Sequence, residues 1–238
     1  MEITTIINMS SLEQDFIPQC IRHSREVSKH VIACYSDKLF TGEPEDLALF
    51  ESYKEQFPDV TFLLVPFDDK LVSRFMHNRF RATAFTHVTT EWVLFLDADE
   101  IIDVPRFKAW MLLPKQHDSY GFACTWYFRL KTFQAASLEL AGLLIKTDKL
   151  SYADVAGAYH ERWSICKGNY QSAVMYEDVP MIHHYSWVRT KEQMLKKVRG
   201  WGHKEDRSWE SLVEQEFALP PDPTRPDFVH GYTYNVIP

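Results

Sequence analysis

Three carboxylates directly follow a strongly apolar run in the segment EWVLFLDADEI, residues 91–101. Because burying a carboxylate without a partner is costly, Asp97, Asp99 and Glu100 need a cation, hydrogen-bond donors or open water. In an extended segment Asp97 and Asp99 point to the same side, since side chains repeat every second residue. Two oxygen ligands on one side are typical of a divalent ion that also holds phosphate oxygens. The alternative is a solvated acidic turn.

The elements that position this cluster alternate between strands and helices over the first hundred residues. Apolar patterns predict strands at residues 2–9, 30–36, 60–67 and 91–96, and helices at residues 16–27, 42–58 and 70–86. This alternation implies right-handed crossovers and a doubly wound, mainly parallel sheet. Ligands of such sheets bind beyond the carboxyl ends of the strands, which is where the carboxylates lie.

Beyond residue 103 the alternation weakens. YGFACTWYFRL at residues 120–130 and YQSAVMYEDVPMIHHYSW at residues 170–187 predict strands of a mixed or antiparallel region. Thr190 and Gln193 form a capping box that opens a helix, and SWESLVEQEF at residues 208–217 predicts a last short helix. The second half therefore adds further strands and C-terminal helices to the predicted sheet.

Composition and charge exclude several classes of protein. The net charge of −7 over 238 residues argues against general nucleic-acid binding. No apolar stretch reaches the roughly 18 residues of a membrane span, and the segment MEITTIINMS lacks the basic leader of a signal peptide. The four cysteines form no C-x-x-C pair, which favours reduced thiols in the core and a cytoplasmic protein.

Residues 74–101, RFMHNRFRATAFTHVTTEWVLFLDADEI, resemble the nucleotide-sugar half of GT-A glycosyltransferases, especially glycosyltransferase family 2. Members of that family carry an Asn-bearing helix, an apolar strand and a D-x-D motif. Asn78 matches the Asn of the family, while Phe80 stands where a Gly is usual. The resemblance implies a GT-A, Rossmann-like α/β fold, with a mixed, mainly parallel sheet flanked by helices and a C-terminal helical segment.

Two later segments extend the resemblance to roughly residues 1–205: SYADVAG at residues 151–157 and HHYSWVRTKEQM at residues 183–194. Both are similar to a bacterial branch of family-2-like transferases. We therefore predict one GT-A-like domain over residues 1–238. Its predicted parts are a nucleotide-sugar-binding half at 1–103, an acceptor half at 104–189, and C-terminal helices with a tail at 190–238.

The resemblance also implies a metal site and a nucleotide site. Asp99 and His184 would bind Mn²⁺ or Mg²⁺, with His183 as the local rival, although paired histidines in an aromatic strand can equally serve packing. The residues implied in nucleotide binding are Met9, Ser10, Ser36, Asp37, Arg74, Asn78 and Asp97. Asp97 would face the ribose. Asp37 could instead be a turn residue, and Asn78 could tie its helix to the acidic loop.

The implied reaction is transfer of a sugar from a UDP- or GDP-sugar to a hydroxyl acceptor. Family-2 enzymes invert the anomeric centre, which requires a base on the acceptor side. Asp154 is the first candidate because it matches a family Asp and small residues flank it. Glu161 is the second candidate, and the pair Glu177 and Asp178, in a segment expected to be a strand, is the third.

Several alternatives remain open at this point. A sugar nucleotidyltransferase would need a Gly-rich phosphate loop, which INMSSLEQD does not provide, and a non-catalytic nucleotide-sugar-binding domain would keep the fold alone. Four aromatic residues could form a floor for a sugar acceptor or simply pack in the core: Trp126, Tyr127, Trp163 and Trp187. The basic segment 190–206 could close over the donor diphosphate or be a solvated helix face.

Overall fold

The computed structural model describes residues 1–71, 73–157, 162–201, 203–204 and 206–238, with only the backbone at residues 73 and 74. The first half alternates as the sequence predicts: β1 (Ile3–Asn8), α1 (Ile17–Val27), β2 (His30–Tyr35), α2 (Leu47–Gln56), β3 (Thr61–Leu64), α3 (Ser73–Phe85) and β4 (Trp92–Asp97). The second half comprises β5 (Glu100–Ile102), α4 (Val104–Met111), β6 (Ser119–Phe128), β7 (Phe133–Lys146), α5 (Tyr152–Ala156), β8 (Tyr170–Val174), β9 (Ile182–Trp187), α6 (Lys191–Gly200), α7 (Trp209–Phe217) and β10 (Tyr234–Val236).

The strands form a continuous mixed sheet in the order β3-β2-β1-β4-β7-β6-β9-β5. The first four strands of this order are parallel, and β7 joins β4 in the antiparallel sense. Strand β8 pairs with β6, and β10 pairs with the first three residues of β7. This architecture confirms the predicted mixed α/β sheet flanked by helices.

Strand β4 lies inside the sheet between β1 and β7, and its apolar run is buried on both faces. Leu94 and Leu96 belong to the core cluster that packs on α1, which contributes Ile17. Val93 and Phe95 belong to the cluster on the opposite face, to which α3 contributes Met76 and Phe80. The uninterrupted apolar sequence follows from this burial, because neither face of β4 reaches water.

The C-terminal part builds a third core cluster around aromatic rings. Trp126 of β6 and Trp187 of β9 pack with Met194 of α6, Trp209 of α7 and Tyr234 of β10. The capping box predicted at the start of α6 is present, with Thr190 accepting from the backbone N–H of Gln193. No helix in the described residues is long and apolar enough to cross a membrane.

Two features differ from the sequence expectations. The segment containing Glu177 and Asp178 is a tight turn closed by a bridge between Tyr176 and Val179, not a strand. Glu177 and Asp178 have φ angles of 51° and 57°, a left-handed conformation that ends strand pairing. The sequence analysis did not predict strand β7. Its middle is polar and partly exposed, so its pattern is not that of a buried strand.

Candidate functional site

A cavity of about 640 Å³ opens at the carboxyl ends of β1, β2 and β4. Met9 and Ser10 line it after β1, Ser36 lines it after β2, and Asp97 and Asp99 line it after β4. The parallel register brings these ends together, because β1 pairs residue for residue with both β2 and β4. The D-x-D segment therefore lies where the doubly wound sheet was expected to bind its ligand.

Asp97 is held between two arginines. Arg81 of α3 donates to Oδ1 at 2.9 Å, and Arg162 donates to Oδ2 at 3.1 Å. Burial opposes ionisation of Asp97, but Arg162 and Arg81 outweigh it and lower its pKa to about 2. Asn78, fully buried on α3, accepts from Arg81 at 3.0 Å and thereby helps to orient this guanidinium.

Asp99 lies at the centre of a second cluster of cations. Lys197 Nζ and Arg189 Nη2 lie 3.2 and 3.3 Å from Oδ2, and His184 Nε2 lies 3.5 Å from Oδ1. Burial disfavours the charged carboxylate, but Lys197 and His184 hold the pKa of Asp99 well below its usual range. Asp99 thus remains ionised inside the protein, as a ligand or an ion-pair partner must.

Strand pairing brings His184 to Asp99. Strand β5 runs antiparallel to β9 with Glu100 opposite His184, and the backbone N–H of Tyr185 donates to the carbonyl oxygen of Asp99. Burial alone lowers the pKa of His184, yet contacts with Asp99 and Cys124 raise it to about 10. His184 faces the cavity, whereas His183, the next residue on the strand, contacts the hydroxyl of Tyr127 at 2.9 Å.

Glu100 is fully buried and forms a structural ion pair. Arg162 donates to both of its carboxylate oxygens, with Nη1 to Oε2 at 2.6 Å, and Glu100 also accepts from the backbone N–H of Asp97. Burial raises the pKa of Glu100, although Arg162 opposes the shift. Arg162 therefore bridges two of the three carboxylates, which explains how the chain tolerates their charge at the end of a buried strand.

Asp99 and His184 are the two predicted residues that could contribute ligands to a divalent ion. Asp99 Oδ1 and His184 Nε2 are a carboxylate oxygen and an imidazole nitrogen within 3.5 Å of each other at the wall of one cavity. Within the described ranges no group of three or more His, Cys, Asp or Glu side chains is arranged to hold a metal. A bound ion would need phosphate oxygens and water for its other positions, as Mg²⁺ commonly does.

Some of the residues predicted to bind the nucleotide line the cavity, and others do not. Met9, Ser10, Ser36 and Asp97 line the cavity. Asp37 is not among the lining residues. Its carboxylate accepts from the backbone N–H of Phe67 at 2.7 Å, which lowers its pKa and ties the end of β2 to the segment after β3. The side chain of Arg74 lies outside the described part of the chain.

The candidates for the catalytic base either do not line the cavity or lie outside the residues that the structure describes. Asp154 is fixed by Ser151, which donates at 2.7 Å, and by Lys167 at 3.0 Å, and these contacts lower its pKa to about 2. Neither Asp154 nor the turn at residues 177–178 is among the lining residues. Glu161 lies outside the described residues. The assignment of the base therefore stays a prediction.

Sequence reasoning missed several charged groups of the cavity. The sequence analysis did not link Lys197 or Arg162 to the carboxylates, although Lys197 lies in the basic segment 190–206. Glu139 and His230 also line the wall, from β7 and from the segment before β10. Of the four aromatic candidates, Trp126, Trp163 and Trp187 line the cavity, whereas Tyr127 lies outside the lining set.

Comparison with known proteins supports the fold. No protein-family model and no curated protein matches the chain. Among solved structures, the bifunctional IspDF from Campylobacter jejuni aligns with a TM-score of 0.50 at 9% identity, covering 82% of this chain and 54% of its own. The chain thus spans about half the length of that protein.

Two further structures align with lower TM-scores. Residues 1–349 of TarS from S. aureus align at 0.48 and 12% identity, covering 92% of this chain and 71% of that one. The mannosyltransferase PcManGT from Pyrobaculum calidifontis, solved with GDP-Man and Mn²⁺, aligns at 0.46 and 12% identity, with coverages of 93% and 66%. Together with the strand order, the alignment at 0.50 shows a mixed, Rossmann-like α/β fold of the GT-A-like type.

Proposed function

We propose that the protein transfers a sugar from a nucleoside-diphosphate sugar, a UDP- or GDP-sugar, to a hydroxyl acceptor, with inversion. One observation carries this proposal: Asp99 and His184 face each other on the wall of the cavity that Met9 and Ser36 also line. A volume of about 640 Å³ lies within the usual range for small-ligand sites. Residues 1–103 would bind the donor and residues 104–189 the acceptor.

Asp99 and His184 would hold a divalent ion, Mn²⁺ or Mg²⁺, which when bound neutralises the charge that develops on the departing diphosphate. His184 would have to lose its proton for this role, because a metal-bound imidazole nitrogen is unprotonated. Met9 and Ser36 would contact the nucleoside, and Asp97 would face the ribose. Arg81 donates to Asp97 and would add positive charge beside the phosphates. The cytoplasmic location stays a prediction.

Calorimetry with UDP and GDP, each with and without Mn²⁺, tests the metal assignment. Asp99→Asn should lose at least about 10-fold in the Mn²⁺-dependent part of nucleotide affinity, because it removes a charged ligand. His184→Gln should lose less, since phosphate and water still hold the ion. His183→Gln is the matched comparison, and a larger loss there than in His184→Gln would contradict the assignment. Equal affinity of Asp99→Asn with and without metal, at the wild-type level, would also contradict it.

A sugar nucleotidyltransferase is the second candidate, favoured by the cationic side chains of Arg81, Arg162 and Lys197 around the strand end. These cations could also receive a triphosphate. A product assay separates the two reactions. Release of a nucleoside diphosphate from a nucleotide sugar indicates glycosyl transfer, whereas pyrophosphate from a nucleoside triphosphate and a sugar phosphate indicates nucleotidyl transfer. Nucleotide binding without either product would indicate a binding domain.

A further inference from the structure

A second polar cluster lies on the wall of the same cavity, away from the D-x-D segment. Glu139 of β7 accepts from the hydroxyl of Tyr232 at 2.5 Å on Oε1, and His230 Nδ1 lies 3.6 Å from the same oxygen. Glu139 and His230 line the cavity. Within the described part of the chain both contacts fall on Oε1, and Oε2 is therefore the oxygen available to accept a proton from a ligand.

The segment that carries His230 and Tyr232 is fixed by a buried carboxylate. Asp227 accepts from the backbone N–H of His230 at 2.7 Å and of Tyr232 at 3.0 Å, and also from the hydroxyl of Tyr234. The strand that follows, β10, pairs with β7 from Tyr234 opposite Ala135. These contacts fix the positions of His230 and Tyr232 beside Glu139, so the cluster has a defined geometry.

Trp126 connects this cluster to the donor side of the cavity. Its ring meets His184 edge to face with centroids 4.9 Å apart, and meets His230 in the same way at 4.8 Å. Trp126 is the strand partner of His184, and Glu139 pairs with Cys124, two residues before Trp126 on β6. One indole ring therefore separates the proposed metal ligand from the Glu139 cluster, as a donor site and a neighbouring acceptor site require.

We propose that Glu139 is the base that activates the acceptor hydroxyl, and that His230 and Tyr232 are positioning residues for its carboxylate. This proposal rests on the proposed glycosyl transfer. The acceptor oxygen forms a bond to the anomeric carbon, and its proton passes to Glu139 Oε2. The bond between the anomeric carbon and the phosphate oxygen breaks, and its electron pair leaves with the nucleoside diphosphate. Donor and acceptor are the only reactants that the step needs.

The surroundings of Glu139 suit this role better than those of Asp154. Asp154 is committed to a capping box with Ser151 and to an ion pair with Lys167, and it is not among the cavity-lining residues. Glu139 lies on the cavity wall with 28% of its side chain exposed, so an acceptor can reach it. A general base must come within hydrogen-bond reach of the proton that it removes, and this geometric condition favours Glu139.

Variants of Glu139, assayed for donor affinity and for transfer, test the assignment. Glu139→Gln keeps size and polarity, so UDP or GDP affinity with Mn²⁺ should stay within about 3-fold, while kcat for transfer should fall by roughly 100-fold or more. Tyr232→Phe and His230→Gln should lower kcat by about 10-fold without raising the donor KM. Glu55→Gln, the same change on an exposed face of α2, is the control and should match the wild type.

The outcomes separate this proposal from the proposed function. A wild-type protein that binds no nucleotide or transfers no sugar refutes glycosyl transfer itself. An active wild type with near-normal transfer by Glu139→Gln overturns only the base assignment, as would a loss confined to Asp154→Asn. A larger loss in His230→Gln than in Glu139→Gln would make the imidazole the base. If Glu139→Gln fails to fold, Glu139→Asp decides, because it withdraws the carboxylate from the acceptor hydroxyl. A fall in kcat of at least about 10-fold with unchanged donor affinity supports the assignment, and a near-normal kcat in a folded variant overturns it.

Discussion

Each carboxylate at the end of β4 has a cationic partner from another part of the chain. Arg162 serves Asp97 and Glu100, and Lys197 serves Asp99. Removing one partner of a buried ion pair leaves an uncompensated charge in the core. The free energy lost in this way exceeds the net stabilisation that the intact pair contributes. The acidic segment therefore depends on its basic neighbours for folding as well as on any ligand for function.

Arg162→Met should lower the free energy of unfolding by about 3–5 kcal/mol, because Glu100 is then buried without its partner. Burial already raises the pKa of Glu100, and Arg162 opposes this shift, so the variant raises the pKa further. A protonated Glu100 costs less to bury, so the loss of stability should be largest at neutral pH and decrease as the pH falls. Urea denaturation at several pH values measures both effects.

Arg25→Met is the matched control, since its partner Asp59 is exposed and such a pair contributes at most about 1 kcal/mol. Equal losses in the two variants, or a loss in Arg162→Met that is independent of pH, would contradict the buried-pair account.

At the level of the elements, α6 is tied to the D-x-D segment. Lys197 is buried, and its ammonium donates to Asp99 at 3.2 Å and to the hydroxyl of Ser186 at 2.8 Å. This residue is not part of a solvated basic face, which was one of the two expectations for the segment. Trp201, at the end of α6, lines the cavity. A metal at Asp99 would compete with Lys197 for the same carboxylate, so ligand binding should alter how α6 packs.

Hydrogen exchange across residues 195–201 tests this coupling. We expect protection to rise only when nucleotide and Mn²⁺ are both present, because the ion displaces Lys197 and the phosphates then attract the helix end. Helix α4 serves as the internal reference and should not change, because it packs in the core cluster of α1. Identical exchange of residues 195–201 in all ligand states would show that α6 is a static part of the wall.

On the scale of the whole molecule, β6 links the core clusters. Its residues Tyr120 and Phe122 belong to the cluster that packs on α1, and Trp126 and Phe128 belong to the cluster of the C-terminal helices. Since one strand serves both clusters, the C-terminal segment should not unfold before the parallel half of the sheet.

Urea unfolding followed by tryptophan fluorescence and by far-UV circular dichroism should therefore give coincident transitions. Trp110→Phe removes an indole from the first cluster and weights the fluorescence toward the C-terminal cluster, where Trp126, Trp187 and Trp209 lie. The two transitions should still coincide in this variant. A fluorescence transition at lower urea concentration than the dichroism transition would show that the C-terminal cluster unfolds separately.

Features that depend on neighbouring residues could be predicted from the amino-acid sequence. The apolar run of β4, the alternation of the first half and the capping box at Thr190 follow from local spacing, and the structure contains all three. The position of Asp97 and Asp99 at the cavity wall followed from the same pattern, because the carboxyl ends of parallel strands meet at one edge of a sheet.

Which side chains contact these carboxylates depends on how the whole chain folds. Lys197 reaches Asp99 across 98 positions, and Arg162 reaches Glu100 across 62. The contact between Tyr232 and Glu139 spans 93 positions and depends on β10 pairing with β7. No local pattern encodes such pairs, because a basic or acidic residue has the same sequence signature on a solvated face as in a buried cluster. Sheet order and helix packing place the partners, and these depend on the whole chain.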